Sequence, residues 1–178
     1  AGMRGIGVEP AKNLAAEANR QGVTTLNRYF GAEAVGEIIS RYGKADVVSA
    51  NNVFAHIDDI QGVCRNVRDL LADDGFFVIE FAYLATMIEQ MFFDMIYHEH
   101  VCYIGVTALD FFFEKYGMEI FDIKEVETHG GSLRVFSQKK GGPRKREPVV
   151  ERFLNGEKEK GLRKDKVYAD FAARVRGF

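Results

Sequence analysis

The chain has 178 residues, 47% of them hydrophobic and 28% charged, with a net formal charge of −2. This is the balance of a globular domain with a sizeable core, and it argues against nucleic-acid binding through bulk charge as the main role. No apolar run is long enough to cross a bilayer, no signal peptide is visible, and Cys64 and Cys102 make no disulfide framework, so a cytoplasmic setting is expected.

Gly5-Ile6-Gly7-Val8-Glu9 is a short apolar strand ended by Pro10, which starts a helix over roughly 11–21 that stops at Gly22. Val23–Leu26 is a second strand. Gly31 opens a helix with Ala34, Val35, Ile38, Ile39 and Tyr42 on one face. Ala45–Ala50 is a strand with Asn51-Asn52 at its carboxyl end, and Asp58 or Asp59 caps the helix that follows. Asp73-Asp74-Gly75 reads as a turn and Phe76–Phe81 as a strand buried on both faces. A helix over roughly 84–93 leads to Tyr97-His98-Glu99-His100. Thr107 begins another helix, with Asp110 as a capping-box variant and Gly117 as its stop. Strands over about 118–127 and 132–138 form an antiparallel pair around Thr128-His129-Gly130-Gly131. Alternating strands and helices with this antiparallel finish describe a doubly wound α/β fold over 1–142; 143–178 reads as a linker helix or the start of a second domain.

Four groups of residues carry chemistry. Glu9, at a strand's carboxyl end, is placed to accept the hydroxyls of a ribose, or else serves the following helix start. Phe30 offers an aromatic wall for an adenine ring, or core packing. Asn51 reaches a cofactor, and Asn52 and His56 a substrate, or the latter two simply close a loop. Tyr97, Glu99 and His100 combine a phenol, a carboxylate and a base titrating near neutrality. Zinc is the competing reading for that cluster, but its spacing matches neither a closed Cys/His pattern nor the HExxH helix motif, so no metal is assigned. His129, in a Gly-rich turn, approaches a ligand or lies in an ordinary hairpin. Arg134 meets a phosphate or an acidic neighbour. The basic run Lys139–Arg146 reads as a solvated turn.

The order of Gly7-Val8-Glu9-Pro10, Phe30-Gly31, Ala50-Asn51-Asn52-Val53-Phe54-Ala55-His56, Ile79-Glu80-Phe81, Tyr97-His98-Glu99-His100 and Thr128–Arg134 resembles the S-adenosylmethionine-dependent sugar C-methyltransferases, which methylate carbon 3 of nucleotide-linked 4-keto-deoxyhexoses. The resemblance implies a class I methyltransferase (Rossmann-like) sheet, S-adenosylmethionine as cofactor and a nucleotide-linked keto-sugar as substrate. It implies Glu9 on the cofactor ribose, Phe30 and Asn51 near the adenosyl group, and Asn52, His56 and His129 in the sugar pocket. His100 is then the general base, with Tyr97 and Glu99 positioning base and substrate. The family's N-terminal zinc domain, its first strand and Gly-rich cofactor loop, and most of its C-terminal domain are missing from residues 1–178, so the chain reads as part of something longer. That first strand lies between the strands holding Glu9 and Val47. Its absence implies weak cofactor binding by this chain alone and self-association through sheet edges. Two alternatives stay open: a non-catalytic α/β interaction module, and a nicotinamide-dependent Rossmann protein, which also uses an acidic residue at the position of Glu9.

Overall fold

The structure, a computed structural model, describes residues 2–178, with the backbone alone described for His129. Strand β1 (Ile6–Val8) leads through helix α1 (Lys12–Arg20) to β2 (Thr24–Leu26), and the two strands pair in parallel. Gly22, at φ 86°, ends α1 in the left-handed region that glycine adopts without a Cβ clash. Helix α2 (Ala32–Tyr42) returns to β3 (Ala45–Asn51), and α3 (Ile60–Leu70) leads directly into β4 (Leu71–Ala82), parallel to β3. The expected Asp59 cap is present: its carboxylate accepts the Gly62 N–H at 2.7 Å.

The expected turn at Asp73–Gly75 takes the form of a bulge within β4. Ala45 pairs with Leu71 but Val47 pairs with Phe76, so residues 72–75 are extruded from the ladder. Gly75 is required there, because a Cβ would come within 2.7 Å of the Ala45 carbonyl oxygen.

Helix α4 (Leu84–Gln90) is shorter than the sequence suggests. Met91 takes a left-handed backbone (φ 58°), and Phe93–Met95 forms a separate 3-10 turn. Helix α5 (Val106–Lys115) precedes β5 (Met118–Val126) and β6 (Ser132–Lys139). β6 inserts antiparallel between β4 and β5, giving the order β3-β4-β6-β5. The chain finishes in α6 (Pro148–Lys160) and α7 (Asp165–Arg176).

The main core packs α3 and α5 against this sheet through Phe54, Val67, Phe77, Ile79, Phe113 and Val135, each at most 1% exposed. Leu162 of the α6–α7 connection and Phe171 of α7 join the same core, so residues after 142 pack on the sheet. A second, smaller core joins Val35 and Ile38 of α2 to Leu70, with Ile6, Val8, Leu26 and Val48 against it. The two sheets do not share a hydrogen-bonded ladder among the described residues; β1 pairs only with β2, and β3 only with β4. The parallel α/β arrangement with an antiparallel finish is as expected, but the sheet is in two pieces joined by side-chain packing.

Candidate active site

The carboxyl ends of the parallel strands gather most of the candidate residues. Glu9 follows β1 and is half-buried. Its N–H donates to the Leu26 carbonyl at 3.0 Å, and its Oε1 accepts the Ala11 N–H at 2.7 Å. The carboxylate therefore does serve the start of α1, and its second oxygen has no protein donor among the described residues. Asn27 clamps this strand end by donating to the Glu9 and Pro10 carbonyls. Phe30 packs against both cores and so links the β1–β2 lobe to the rest; Tyr29 beside it is 83% exposed.

At the end of β3, Asn51 lies opposite Glu80 and is exposed, and Asn52 turns the chain out of the sheet with φ 53°. Asparagine is one of the few residues that adopts this region at modest cost, and such backbone concentrates at functional sites. The Asn52 N–H donates to the Glu80 carbonyl at 2.8 Å, which fixes the turn. Phe54 then plugs the core, edge-on to Phe77 and Phe113, and anchors the 3-10 turn Phe54–His56.

The segment after α4 zips onto that turn. The N–H groups of Val101 and Cys102 donate to the Ala55 carbonyl, and the Glu99 carbonyl accepts from His56 Nδ1 at 2.9 Å. The result is an aromatic nest around His100. Its ring lies 4.8 Å from that of His56, 4.2 Å from that of Tyr97 and 5.4 Å, edge-on, from that of Tyr103. His100 Nδ1 lies 3.2 Å from the Met95 carbonyl, and the Tyr103 hydroxyl donates to the same oxygen. A carbonyl only accepts, so Nδ1 of each neutral imidazole carries the proton and Nε2 keeps its lone pair. His100 is half-buried, whereas Tyr97, His98, Glu99 and His56 are exposed. Glu99 contributes its backbone here; its carboxylate has no hydrogen-bond partner among the described residues.

Glu80 and Arg134 form the second polar centre. Arg134, on β6, donates through Nε and Nη2 to Glu80 Oε2 at 3.0 and 2.6 Å, and the Thr128 hydroxyl donates to Oε1 at 3.1 Å. Of the two partners expected for Arg134, the acidic neighbour is the one found. The guanidinium first, then Thr128 and Asn52, holds the Glu80 carboxyl below the usual value. The turn that follows is a glycine hairpin with φ 74° at Gly130 and 124° at Gly131. It presses on the protein itself: a Cβ at Gly130 would lie 2.6 Å from the Phe92 ring and one at Gly131 2.9 Å from Thr86. The His129 side chain lies outside what is described. The basic run is spent on local partners: Lys139 on Asp73, Lys140 on Glu114, and Arg146 on Asp110 and Glu151. Arg144 covers the Phe76 ring at 4.7 Å.

Sequence reasoning passed over Tyr103 and the Met95 carbonyl, which complete the His100 environment. Tyr103, three residues beyond His100, was open to notice; the carbonyl was not, because it depends on how the chain folds back after α4. Glu80 stood inside a quoted motif without a role. Its signal is a carboxylate in the middle of an apolar strand, where an unpaired charge is untenable.

Comparison with known proteins bears on the family and the fold. A family model described as a methyltransferase domain matches residues 1–123, and one described as a C-methyltransferase C-terminal domain matches 127–178. The C-methyltransferase NovU of Streptomyces niveus is 39% identical over 172 residues, 97% of this chain; the chain spans 41% of that relative's length. Among solved structures, the magnesium protoporphyrin IX methyltransferase of Synechocystis PCC 6803 with bound S-adenosylhomocysteine superposes with a TM-score of 0.54 at 14% identity, over 76% of this chain and 64% of that one. The 1,6-didemethyltoxoflavin-N1-methyltransferase of Burkholderia thailandensis gives 0.53 at 18% identity, over 78% and 62%. These two likenesses establish the fold, and the domain match over most of the chain establishes kinship: the chain belongs to the methyltransferase-domain family.

Proposed function

We propose that the full-length protein transfers a methyl group from S-adenosylmethionine to a carbon beside the ketone of a nucleotide-linked sugar, after general-base removal of the proton on that carbon. The observation that carries this reading is Nε2 of His100, without a hydrogen-bond partner among the described residues, while Nδ1 meets the Met95 carbonyl in a half-open nest at the end of β3. An imidazole in this tautomer accepts a proton without moving, and the imidazolium it becomes stays bonded to the same carbonyl.

The strand ends suit the cofactor. Glu9 keeps one carboxylate oxygen for a ribose diol, Phe30 offers a ring face, and Asn51 is exposed at the end of β3. When bound, S-adenosylmethionine supplies a methyl group on a sulfonium, electrophilic toward carbon. A carboxylate at that position serves a nicotinamide dinucleotide equally well, so kinship with methyltransferases, rather than Glu9, favours the sulfonium. The protein's own work is to hold, orient and move a proton. His100 Nε2 takes the proton made acidic by the adjacent ketone. The Tyr97 hydroxyl, carried on a ring tilted against that of His100, donates to the oxygen where charge develops. Asn52 and His56 line the sugar side, and Glu99 holds His56 through its carbonyl. A carbon acceptor is supported by the C-methyltransferase match over 127–178 and by the description of NovU.

The test uses a keto-sugar nucleotide deuterated beside the ketone. The full-length protein is expected to wash deuterium into solvent and to form a carbon-methylated product. His100→Ala should lower turnover by about 10²–10⁴-fold while sparing cofactor affinity, and Glu9→Ala should weaken cofactor binding. A product methylated on oxygen, or equal loss of cofactor affinity in both variants, overturns the assignment.

A further inference from the structure

Helix α5 begins without a cap of its own. Gly105 at its N-cap has no side chain, and the anticipated pairing of Thr107 with Asp110 does not form: Thr107 lies inside the helix, its N–H goes to Glu157, and Asp110 pairs with Arg146. The first amides of the helix are nevertheless satisfied, by a carboxylate about fifty residues away in sequence. Glu157 of α6 accepts the Val106 N–H at 2.5 Å on Oε1 and the Thr107 N–H at 2.8 Å on Oε2, and Oε1 also accepts the Tyr83 hydroxyl at 2.9 Å. Glu157 is 2% exposed, and no cation pairs with it among the described residues. Its charge rests on the helix N-terminus and the phenol.

This contact crosses the boundary between the two family matches, since Tyr83, Val106 and Thr107 lie within 1–123 and Glu157 within 127–178. It also sits at the far end of the segment bearing His100. Ile104 precedes the N-cap, pairs with Tyr83 and accepts the Leu84 N–H at 3.2 Å. The stretch from Tyr97 to Tyr103 is thus held at one end by the Phe54–His56 turn and at the other by Tyr83 and the start of α5. Gly105 allows the latch to close, for a Cβ there would meet Glu157 Oε1 at 3.2 Å.

We infer that Glu157 is a positioning residue through which the C-terminal region sets the placement of the His100 segment. The inference rests on the proposed role of His100 only for its effect on turnover; its mechanical part stands alone. A carboxylate is needed because three donors converge on two oxygens. Glutamine keeps the volume, but it replaces one acceptor by an N–H₂ that opposes a donor.

Two measurements decide it. In this chain, Glu157→Gln and Glu157→Ala should accelerate amide hydrogen exchange over residues 96–109 while β4 and β6 keep their protection. Exchange that rises everywhere, or only within α6, overturns the latch. In the full-length protein, Glu157→Gln should lower kcat by up to about 10²-fold with KM for S-adenosylmethionine unchanged, and Glu157→Ala should do so more strongly. Unchanged kcat per folded molecule overturns the positioning role. Should the unsubstituted protein turn over no keto-sugar nucleotide, the proposed function fails, and hydrogen exchange alone decides the latch.

Discussion

At the scale of single residues, two carboxylates are buried in opposite manners. Glu157 rests on neutral donors, whereas Glu80 faces a cation, and only Glu80 ties stability to pH through an ion pair. Arg134 holds the Glu80 carboxyl below its ordinary value. The free energy from this depressed acid is complete above the unfolded-state value and disappears as pH falls through the lower folded-state value. Urea midpoints should therefore drop as pH is lowered below the ordinary carboxylate value of 4.5. Arg134→Ala should flatten part of that drop and cost ~1–3 kcal/mol near neutrality, because it strands a buried carboxylate. Asp73 and Glu114 are also held low, each by a surface lysine, but such exposed pairs add little. An unaltered pH slope in Arg134→Ala would show that the pair is not the source. Arg134 is half-exposed, so water replaces some of what the substitution removes.

At the scale of elements, periodicity read most of the chain correctly because most elements here are local objects. The face of α2, the Asp59 cap, the left-handed Gly117 at the end of α5 and the β5–β6 hairpin all follow from spacing within a dozen residues. Two of the failures share one cause, a partner distant in sequence: the capping box at Thr107 lost to Glu157, and Asp73–Gly75 was absorbed as a bulge by pairing with β3. The early stop of α4 is local, where Met91 turns left-handed and the Phe92 N–H bonds back to the Met87 carbonyl. A faint signal for Glu157 did exist, a charge at the i+7 position of the stripe Val150, Phe153, Leu154. In the site, His56, Tyr97 and His100 were legible as types, but their convergence depends on residues 97–103 zipping onto Ala55. The β1–β2 lobe makes the energetic side of this point. It adheres to the sheet through α2, where Ile38 is 6% exposed in a small core. Ile38→Ala should cost about 2–4 kcal/mol and loosen the lobe first. Hydrogen exchange should accelerate in β1, β2 and α2 while β4 and β6 stay protected. Uniform loss of protection would mean that the two cores unfold as one.

At the scale of the whole molecule, the division of the sheet has a consequence for association. β3 is a seven-residue parallel strand paired on one side by β4, and no described strand pairs its other side. Such an edge offers unpaired N–H and C=O groups to any extended chain. Two features decide how strongly. Asp46 places one charge near the start of β3, a partial guard, but Val47 beyond it is 48% exposed and apolar. β1 is a weaker edge, since it has only three residues and Pro10, which has no N–H to donate, closes it. We therefore expect this chain by itself to associate through β3 in a concentration-dependent way, seen as a sedimentation coefficient that rises with protein concentration. Val47→Lys should suppress that rise, because an edge lysine must be desolvated when a second strand pairs. The substitution should leave the melting temperature nearly unchanged, since the side chain is already half in solvent. A sedimentation profile that is monomeric at every concentration, or association that survives Val47→Lys, would place the contact elsewhere than on β3.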